Sequence, residues 1–244
     1  MSIPNGPGPI ALVGSGEYLS QMRDIEGSLL EGRAPKYVQL ATASVPDGPE
    51  VVERWHQLGR AQAAALGVEA VIVPVETVAD ANNPTFVEMI SGAGLIYLSG
   101  GNPGFLADTL RGSAIWDAIV TQWRGGAALA GCSAGAMAMT SWIPSIRHPR
   151  EGGTEGLGLL KHVRVIPHFD RFGARIPDIV TRFLLPNESN IAVIGIDEDT
   201  AITGGLENWA VVGEQSAWLL THEGREQFRP GSFITTPQTD PLSN

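Results

Sequence analysis

Short apolar runs rich in β-branched residues recur along the chain. They alternate with stretches whose apolar residues return every three to four positions, the pattern of a parallel sheet covered by helices on both faces. Strands are predicted at Ile10 to Val13, Tyr37 to Ala41, Ala70 to Val73, Leu95 to Leu98, Ala127 to Ala130, His162 to Ile166 and Ile191 to Ile196. Helices are predicted at Pro49 to Leu66, at Thr85 to Ser91, and in two pieces from Gly104 to Trp123. This βαβα order predicts an α/β fold of three layers, αβα, around a mostly parallel central sheet. Beyond Ile196 the texture changes: Ala201 to Thr203, Trp209 to Val212 and Ala217 to Leu220 are separated by Gly-containing turns, which predicts short antiparallel strands at the C-terminus. Trp142 to Gly158 holds Pro144, Pro149, Gly152, Gly153 and Gly156 without periodicity and is expected to be a long surface loop, of a length at which loops are often functional. The polar segment from Thr235 to Asn244 is expected to be a frayed tail.

Composition narrows the class. A chain of 244 residues fits one domain, 1–244, because a single core grows to about 250 residues before splitting is favoured. Sixteen Lys and Arg against 26 Asp and Glu leave a formal charge of -10, which would repel phosphate backbones and anionic membrane surfaces. Nucleic acid and membrane are therefore not expected as partners. One cysteine, Cys132, has no intramolecular disulfide partner, and no apolar run approaches the roughly 20 residues of a bilayer span, so a reducing cytoplasm is the expected location. The five histidines form no close metal-ligand pair such as H-E-x-x-H, and no metal or other cofactor is implied.

The sharpest chemical signal is Gly131-Cys132-Ser133-Ala134-Gly135, a G-x-S-x-G run between the strand Ala127 to Ala130 and a helix-forming Ala136-Met137-Ala138-Met139. A nucleophile on a sharp strand-to-helix turn is held in strained backbone, so its neighbours must be Gly or Ala. Ser133 is the predicted nucleophile, and the amide of Ala134, at the start of the following helix, is a natural oxyanion donor. Cys132 precedes the elbow position and reads as a small buried cysteine.

Ligand sites in open α/β sheets form beyond the carboxyl ends of the strands, so the residues there matter most. Ile10 to Val13 leads into Gly14-Ser15-Gly16-Glu17, Leu95 to Leu98 into Ser99-Gly100-Gly101-Asn102-Pro103, His162 to Ile166 into Pro167-His168-Phe169-Asp170, and Ile191 to Ile196 into Asp197-Glu198-Asp199. Acyl transfer by serine needs a base, an acid to orient it, and two oxyanion donors. His168 is read as the base and Glu198 as the orienting acid, with Asp197 and Asp170 as competitors and a solvated turn as the bland reading of the acidic triplet. Gly100 and Gly101 would bring a backbone N–H close to the substrate, Gly101 being the second oxyanion donor. Asn102, Arg171 and Arg175 complete the candidate substrate-binding set, the two arginines read either as bidentate holders of a substrate carboxylate or as helix-capping or surface residues.

In order and approximate spacing, the Ser99-Gly100-Gly101-Asn102-Pro103, elbow, Pro167-His168-Phe169-Asp170 and Gly195-Ile196-Asp197-Glu198-Asp199-Thr200-Ala201-Ile202 segments resemble the serine peptidases that include aspartyl dipeptidase E and cyanophycinase. The resemblance runs from Ile10 to about Trp218. It implies a class I glutamine amidotransferase-like fold with serine in place of the amidotransferase cysteine. It also implies a Ser133, His168, Glu198 triad, an oxyanion hole of Gly101 and Ala134, and substrates with aspartate on the acyl side, either small acidic peptides or cyanophycin. Gly-Gly-Asn-Pro in place of the cyanophycinase Gly-Gly-Asp-Gln, and fewer arginines after the histidine, weaken the polymer reading. Two alternatives stand beside it: an inactive amidotransferase-like binding module, and an α/β-hydrolase esterase using Ser133, Glu198 and His222. Pairing of subunits into a homodimer, the linkage cleaved, and a lid role for Trp142 to Gly158 are left open.

Overall fold

The structure, a computed structural model, describes residues 6–145, 152–172, 185, 190–205 and 207–237. Its regular elements in chain order are β1 (Ile10–Val13), α1 (Arg23–Leu30), β2 (Lys36–Leu40), α2 (Pro49–Leu66), β3 (Glu69–Ile72), α3 (Pro84–Ile90), β4 (Leu95–Leu98), α4 (Pro103–Leu110), α5 (Ala114–Arg124), β5 (Ala128–Cys132) and α6 (Ala134–Ala138). The second half adds β6 (Trp142–Pro144), β7 (Gly153–Glu155), β8 (Val163–Ile166), α7 (Phe169–Phe172), β9 (Ala192–Ile196), β10 (Thr200–Gly205), β11 (Asn208–Gly213), β12 (Ala217–Thr221), β13 (Gly224–Phe228) and β14 (Phe233–Thr235).

Alternation along the buried strands creates the three layers. On β1, Ile10 and Leu12 face one apolar cluster while Ala11 and Val13 face the other, and β4 divides Ile96 and Leu98 from Leu95 and Tyr97 in the same way. The first face is covered by α3, α4, α5 and α6 through Ile90, Leu106, Leu110, Ile119, Trp123 and Met137. The second is covered by α1 and α2 through Ile25, Leu29 and Ala63, with Trp55, Leu58 and Leu66 at its margin. Strands buried on both faces cannot alternate apolar with polar, which is why their sequences read as continuous apolar runs.

The principal sheet has the order β14-β11-β10-β1-β5-β4-β2-β3. From β1 to β3 its neighbours are parallel, and β10, β11 and β14 extend it antiparallel. The predicted mostly parallel sheet with C-terminal antiparallel strands is thus the observed fold. One expectation is corrected. The strands at 162–166 and 191–196 do not join the principal sheet but form a second one, β13-β12-β9-β8, in which β8 and β9 are parallel and β12 and β13 antiparallel. Their one-dimensional pattern is the same because Val163, Val165 and Ile194 still pack into the main core while Ile166 and Val193 face a separate cluster with Phe169 and Leu220.

Two smaller differences follow from local pairing. The Trp142 to Gly158 segment contains a two-stranded antiparallel ribbon, β6 with β7, rather than only a loop, and residues 146–151 between its strands lie outside the described residues. Thr235 closes β14 and Thr236 is buried, accepting the Trp209 indole N–H at 3.2 Å, so the segment expected to fray is tied down at its start. Residues 238–244 lie outside the described residues. No described helix is long and apolar enough to cross a membrane.

Candidate active site

Strand β5 lies between β1 and β4, so its carboxyl end opens at the middle of the principal sheet. There the chain turns through Ser133, whose backbone sits at φ 48° and ψ −104°, and enters α6. Positive φ in a non-glycine residue is uncommon and is held here by the surroundings: the Ser133 amide donates to the Val13 carbonyl at 2.9 Å. The flanking glycines are dictated by close approach. A Cβ at Gly131 would stand 2.5 Å from the Gly135 carbonyl carbon, and one at Gly135 would stand 2.2 Å from the Leu98 carbonyl oxygen. Helix α6 therefore folds back against its own strand and against β4, which aims the Ser133 side chain out of the sheet end.

The two side chains aligned with it come from the second sheet. His168 follows β8 and has a positive φ of 50°, and Glu198 follows β9. Ser133 Oγ lies 3.1 Å from His168 Nε2, and His168 Nδ1 lies 2.8 Å from Glu198 Oε1. These two distances bring the predicted nucleophile, base and acid into one hydrogen-bonded chain. Arg171 adds an ion pair to the far oxygen of Glu198 at 2.8 Å, while 70% of its own side chain is exposed. Arg171 therefore stands behind the acid, outside the residues that line the adjoining cavity. Arg175 lies outside the described residues.

The acidic triplet is not a solvated turn. Asp197 is buried, accepts the Trp218 indole N–H at 3.0 Å and the Ser216 amide at 3.2 Å, and burial raises its pKa. Asp170 accepts the Glu198 amide at 3.0 Å. Both competitors are occupied in holding the turn, which leaves Glu198 to meet the imidazole. His222 sits exposed in the turn between β12 and β13, whereas His168 holds the position beside Ser133. Cys132 is fully buried, and burial pushes its thiol pKa up, so it remains a protonated donor and not a thiolate.

The glycine pair divides its work. The Gly100 amide donates to Glu17 Oε1 at 3.1 Å, and the Asn102 amide donates to the Ala43 carbonyl at 2.7 Å. The Gly101 amide between them, like the Ala134 amide at the elbow, has no acceptor among the described residues. Gly101 has φ +136°, and a Cβ there would stand 2.3 Å from the Ala43 carbonyl oxygen, so glycine is required on both conformational and steric grounds. Asn102 caps α4, its side-chain oxygen accepting the Phe105 amide at 3.0 Å.

A cavity of about 660 Å³ opens over these groups. Gly101, Asn102, Ser133 and His168 line it on one side, and Ile143, Pro144 and Thr154 of the β6–β7 ribbon line it on another. Asp47 and Met137, which the sequence did not single out, also line it; an exposed Asp ending a short 3-10 helix and a Met one turn into a helix carry no one-dimensional signal.

A serine on a strained strand-to-helix turn of an α/β sheet, within hydrogen-bond distance of an imidazole, is a site of the nucleophilic hydrolase class. The sequence pattern of peptidase family S51 matches residues 10–207. The chain belongs to this family, that of dipeptidase E and cyanophycinase, whose members are serine peptidases. Among solved structures it is similar to a peptidase from an acI-B1 actinobacterium, with 42% identity, coverage of 95% of this chain and 98% of that one, and a TM-score of 0.86. It also shares the fold of a peptidase E candidate from Listeria monocytogenes EGD-e, at 17% identity, 86% and 100% coverage and a TM-score of 0.60. No curated protein matches the chain.

Proposed function

We propose that the protein hydrolyses peptide bonds on the carboxyl side of aspartate, in small peptides, through an acyl-enzyme on Ser133. The observation that carries the reading is the continuous chain Ser133 Oγ, His168 Nε2, His168 Nδ1, Glu198 Oε1, with spacings of 3.1 and 2.8 Å. His168 takes the Ser133 proton as Oγ bonds to the scissile carbonyl carbon. The carbonyl oxygen becomes an oxyanion that the Gly101 and Ala134 amides receive. The C–N bond then breaks, the amine leaving with the proton from His168. Water, deprotonated by the same imidazole, attacks the ester carbonyl and releases the acid, returning the proton to Ser133. Glu198 keeps Nδ1 protonated throughout and stabilises the imidazolium.

A cavity of about 660 Å³ is of the size that encloses a small ligand, which favours a dipeptide or tripeptide over a groove-bound polymer. The preference for aspartate comes from the family; Arg171 pairs with Glu198 outside the cavity lining, which leaves Arg175 as the cationic candidate of the sequence for the substrate carboxylate. The test is a panel of α- and β-aspartyl dipeptides, other dipeptides and cyanophycin, offered to the protein and to Ser133→Ala. Cleavage after aspartate with a loss on the order of a thousandfold in the variant is expected. Turnover of neutral dipeptides in preference to acidic ones would remove the aspartyl part, and equal turnover by Ser133→Ala would remove the mechanism.

A further inference from the structure

The loop after β1 carries a carboxylate that the reaction above does not use. Glu17 reaches across to two partners at once: its Oε1 accepts the Gly100 amide at 3.1 Å and its Oε2 accepts the Cys132 thiol at 2.7 Å. Gly100 begins the peptide that ends in the Gly101 N–H, and Cys132 precedes Ser133. One side chain therefore spans the oxyanion loop and the nucleophile elbow. Its neighbour repeats the contact one residue earlier, since the buried Tyr18 hydroxyl pairs with Ser99 Oγ at 2.7 Å, and Gln39 Nε2 lies 2.7 Å from that hydroxyl and 3.1 Å from Ser99 Oγ. Tyr18 holds a φ of 67°, a costly backbone for an aromatic residue, so the turn is fixed against its intrinsic preference.

We infer that Glu17 is a positioning residue that sets the direction of the Gly101 oxyanion donor relative to Ser133. Three consecutive amides make the case: Gly100 is pinned by Glu17, Asn102 is pinned by Ala43, and Gly101 between them has no acceptor among the described residues. Fixing the amides on both sides restricts rotation of the peptide between them, and the Gly101 N–H is thereby held for an oxygen that arrives only with substrate. Glu17 is not among the residues lining the cavity, so it acts through Gly100 and not on the substrate. What it must supply is an acceptor oxygen for the Gly100 amide at this reach, and its charge is incidental.

This inference rests on Ser133 being an acylating nucleophile, and its test avoids the identity of the peptide. A fluorophosphonate phosphonylates Ser133 through a transition state that uses the same oxyanion donors, so the labelling rate reads their placement with no aspartyl substrate involved. Glu17→Met keeps length and removes both acceptors; Glu17→Gln keeps an acceptor for Gly100 while removing the charge. Because misplacing one oxyanion donor costs roughly 10² to 10³ in rate, labelling is expected to fall about 30- to 100-fold in Glu17→Met and to stay within about fivefold in Glu17→Gln. With any peptide the protein cleaves, kcat should fall in parallel and KM should move by less than about twofold. Labelling of Glu17→Met at the parent rate overturns the inference. So does an equal loss in both variants, which would make the charge the cause, or a loss that vanishes at temperatures where the variant is as folded as the parent. Should Glu17→Met not fold, Glu17→Asp carries the test: it is one methylene too short to reach both partners, and about a tenfold loss is expected, parent-like labelling being the refuting result. A parent that does not label at all would remove the nucleophile itself, whereas a parent that labels but cleaves no aspartyl peptide would leave this inference intact and overturn only the substrate.

Discussion

Replacing Glu198 by Gln isolates the contribution of the proposed orienting acid, because it preserves shape and changes only which atoms donate and accept. The carboxylate now meets two donors, the His168 Nδ1 proton and the Arg171 guanidinium, each at 2.8 Å. A glutamine has one oxygen for these two demands. Arg171 has only donors, so it claims the oxygen and turns the amide N–H toward Nδ1. The imidazole then keeps its proton on Nε2, the nitrogen that must accept from Ser133, and the base is in the wrong tautomer. A second loss is electrostatic. Glu198 is 18% exposed and His168 29%, so an effective dielectric of ~20 suits the pair, and at a charge separation of about 4 Å their attraction is about 4 kcal/mol in the imidazolium state. That is about a thousandfold in rate, and the tautomer effect brings the expected fall in kcat/KM to about 10³ to 10⁴. The assay is hydrolysis of the best dipeptide of the panel, with fluorophosphonate labelling as an independent reading. Adding Arg171→Ala to Glu198→Gln frees the amide to flip and should recover several-fold of the lost rate. A Glu198→Gln enzyme within tenfold of the parent, or an Asp197→Asn or Asp170→Asn enzyme as slow as Glu198→Gln, would refute the assignment of the acid.

Arg171→Ala alone should lower kcat less than about fivefold, because its ion pair is largely exposed and such pairs contribute at most about 1 kcal/mol; a KM raised a hundredfold for acidic peptides only would instead make Arg171 the carboxylate anchor. Gly135→Ala should destabilise by about 3 kcal/mol in urea unfolding, since its Cβ would stand 2.2 Å from the Leu98 carbonyl oxygen, whereas Gly27→Ala in α1, with nothing nearer than a Leu66 methyl at 3.6 Å, should stabilise by about 0.5 to 1 kcal/mol. Glu26 is buried beside the Tyr37 hydroxyl and its pKa is raised by burial to about 7. Between its unfolded value and about 7 the folded state holds more protons than the unfolded one, so this group lowers stability as pH rises through that window and has no further effect above it. Glu26→Gln should therefore flatten the fall in unfolding free energy between about pH 4.5 and 7, a difference of about 3 kcal/mol at neutral pH, and an unchanged slope would count against the raised pKa.

The elements that one-dimensional reading located well are those whose signal is local. Helix α2 has Pro49 at its start and the left-handed Gly67 at its end, and its predicted and observed limits coincide. Strands β1 and β4 likewise coincide, being continuous apolar runs closed by Gly-rich turns. The elbow was legible because strain at one residue forces small residues on both sides, a constraint written into adjacent letters. The assignment of β8 and β9 to a second sheet was not, because a buried strand reads the same whichever sheet it joins. Helix α1 was missed for a different reason: Arg23, Asp24 and Glu26 dilute its apolar face, and its buried carboxylate looks like a surface residue until Tyr37 is seen beside it. Glu17 stood in the sequence as one of several residues at a strand end. Only its reach to Gly100 and Cys132, residues far along the chain, gives it a task.

The placement of Glu198 at the joint between sheets explains why the proposed triad is drawn from both. Strand β9 belongs to the second sheet and β10 to the principal one, and only Asp197, Glu198 and Asp199 separate them. That short crossing is fixed from both sides: the Asp197 amide donates to Ser216 at the start of β12, and the Asp199 amide donates to Ser15 after β1. Gly14 lets the strands approach so closely that a Cβ there would stand 2.1 Å from the Asp197 carbonyl oxygen. Glu198 is thus held by backbone bonds to both sheets, and it in turn holds His168, which rises from β8 in the second sheet toward a serine rising from β5 in the first. A relative shift of the two sheets would lengthen the Ser133 to His168 contact before it disturbed the His168 to Glu198 contact, since the latter pair shares a sheet. The glycine at position 14 and the strained turns at Ser133, His168 and Asp199 are accordingly four parts of one constraint, each spending local backbone freedom to keep a distance of 3.1 Å between elements that the chain itself does not connect directly.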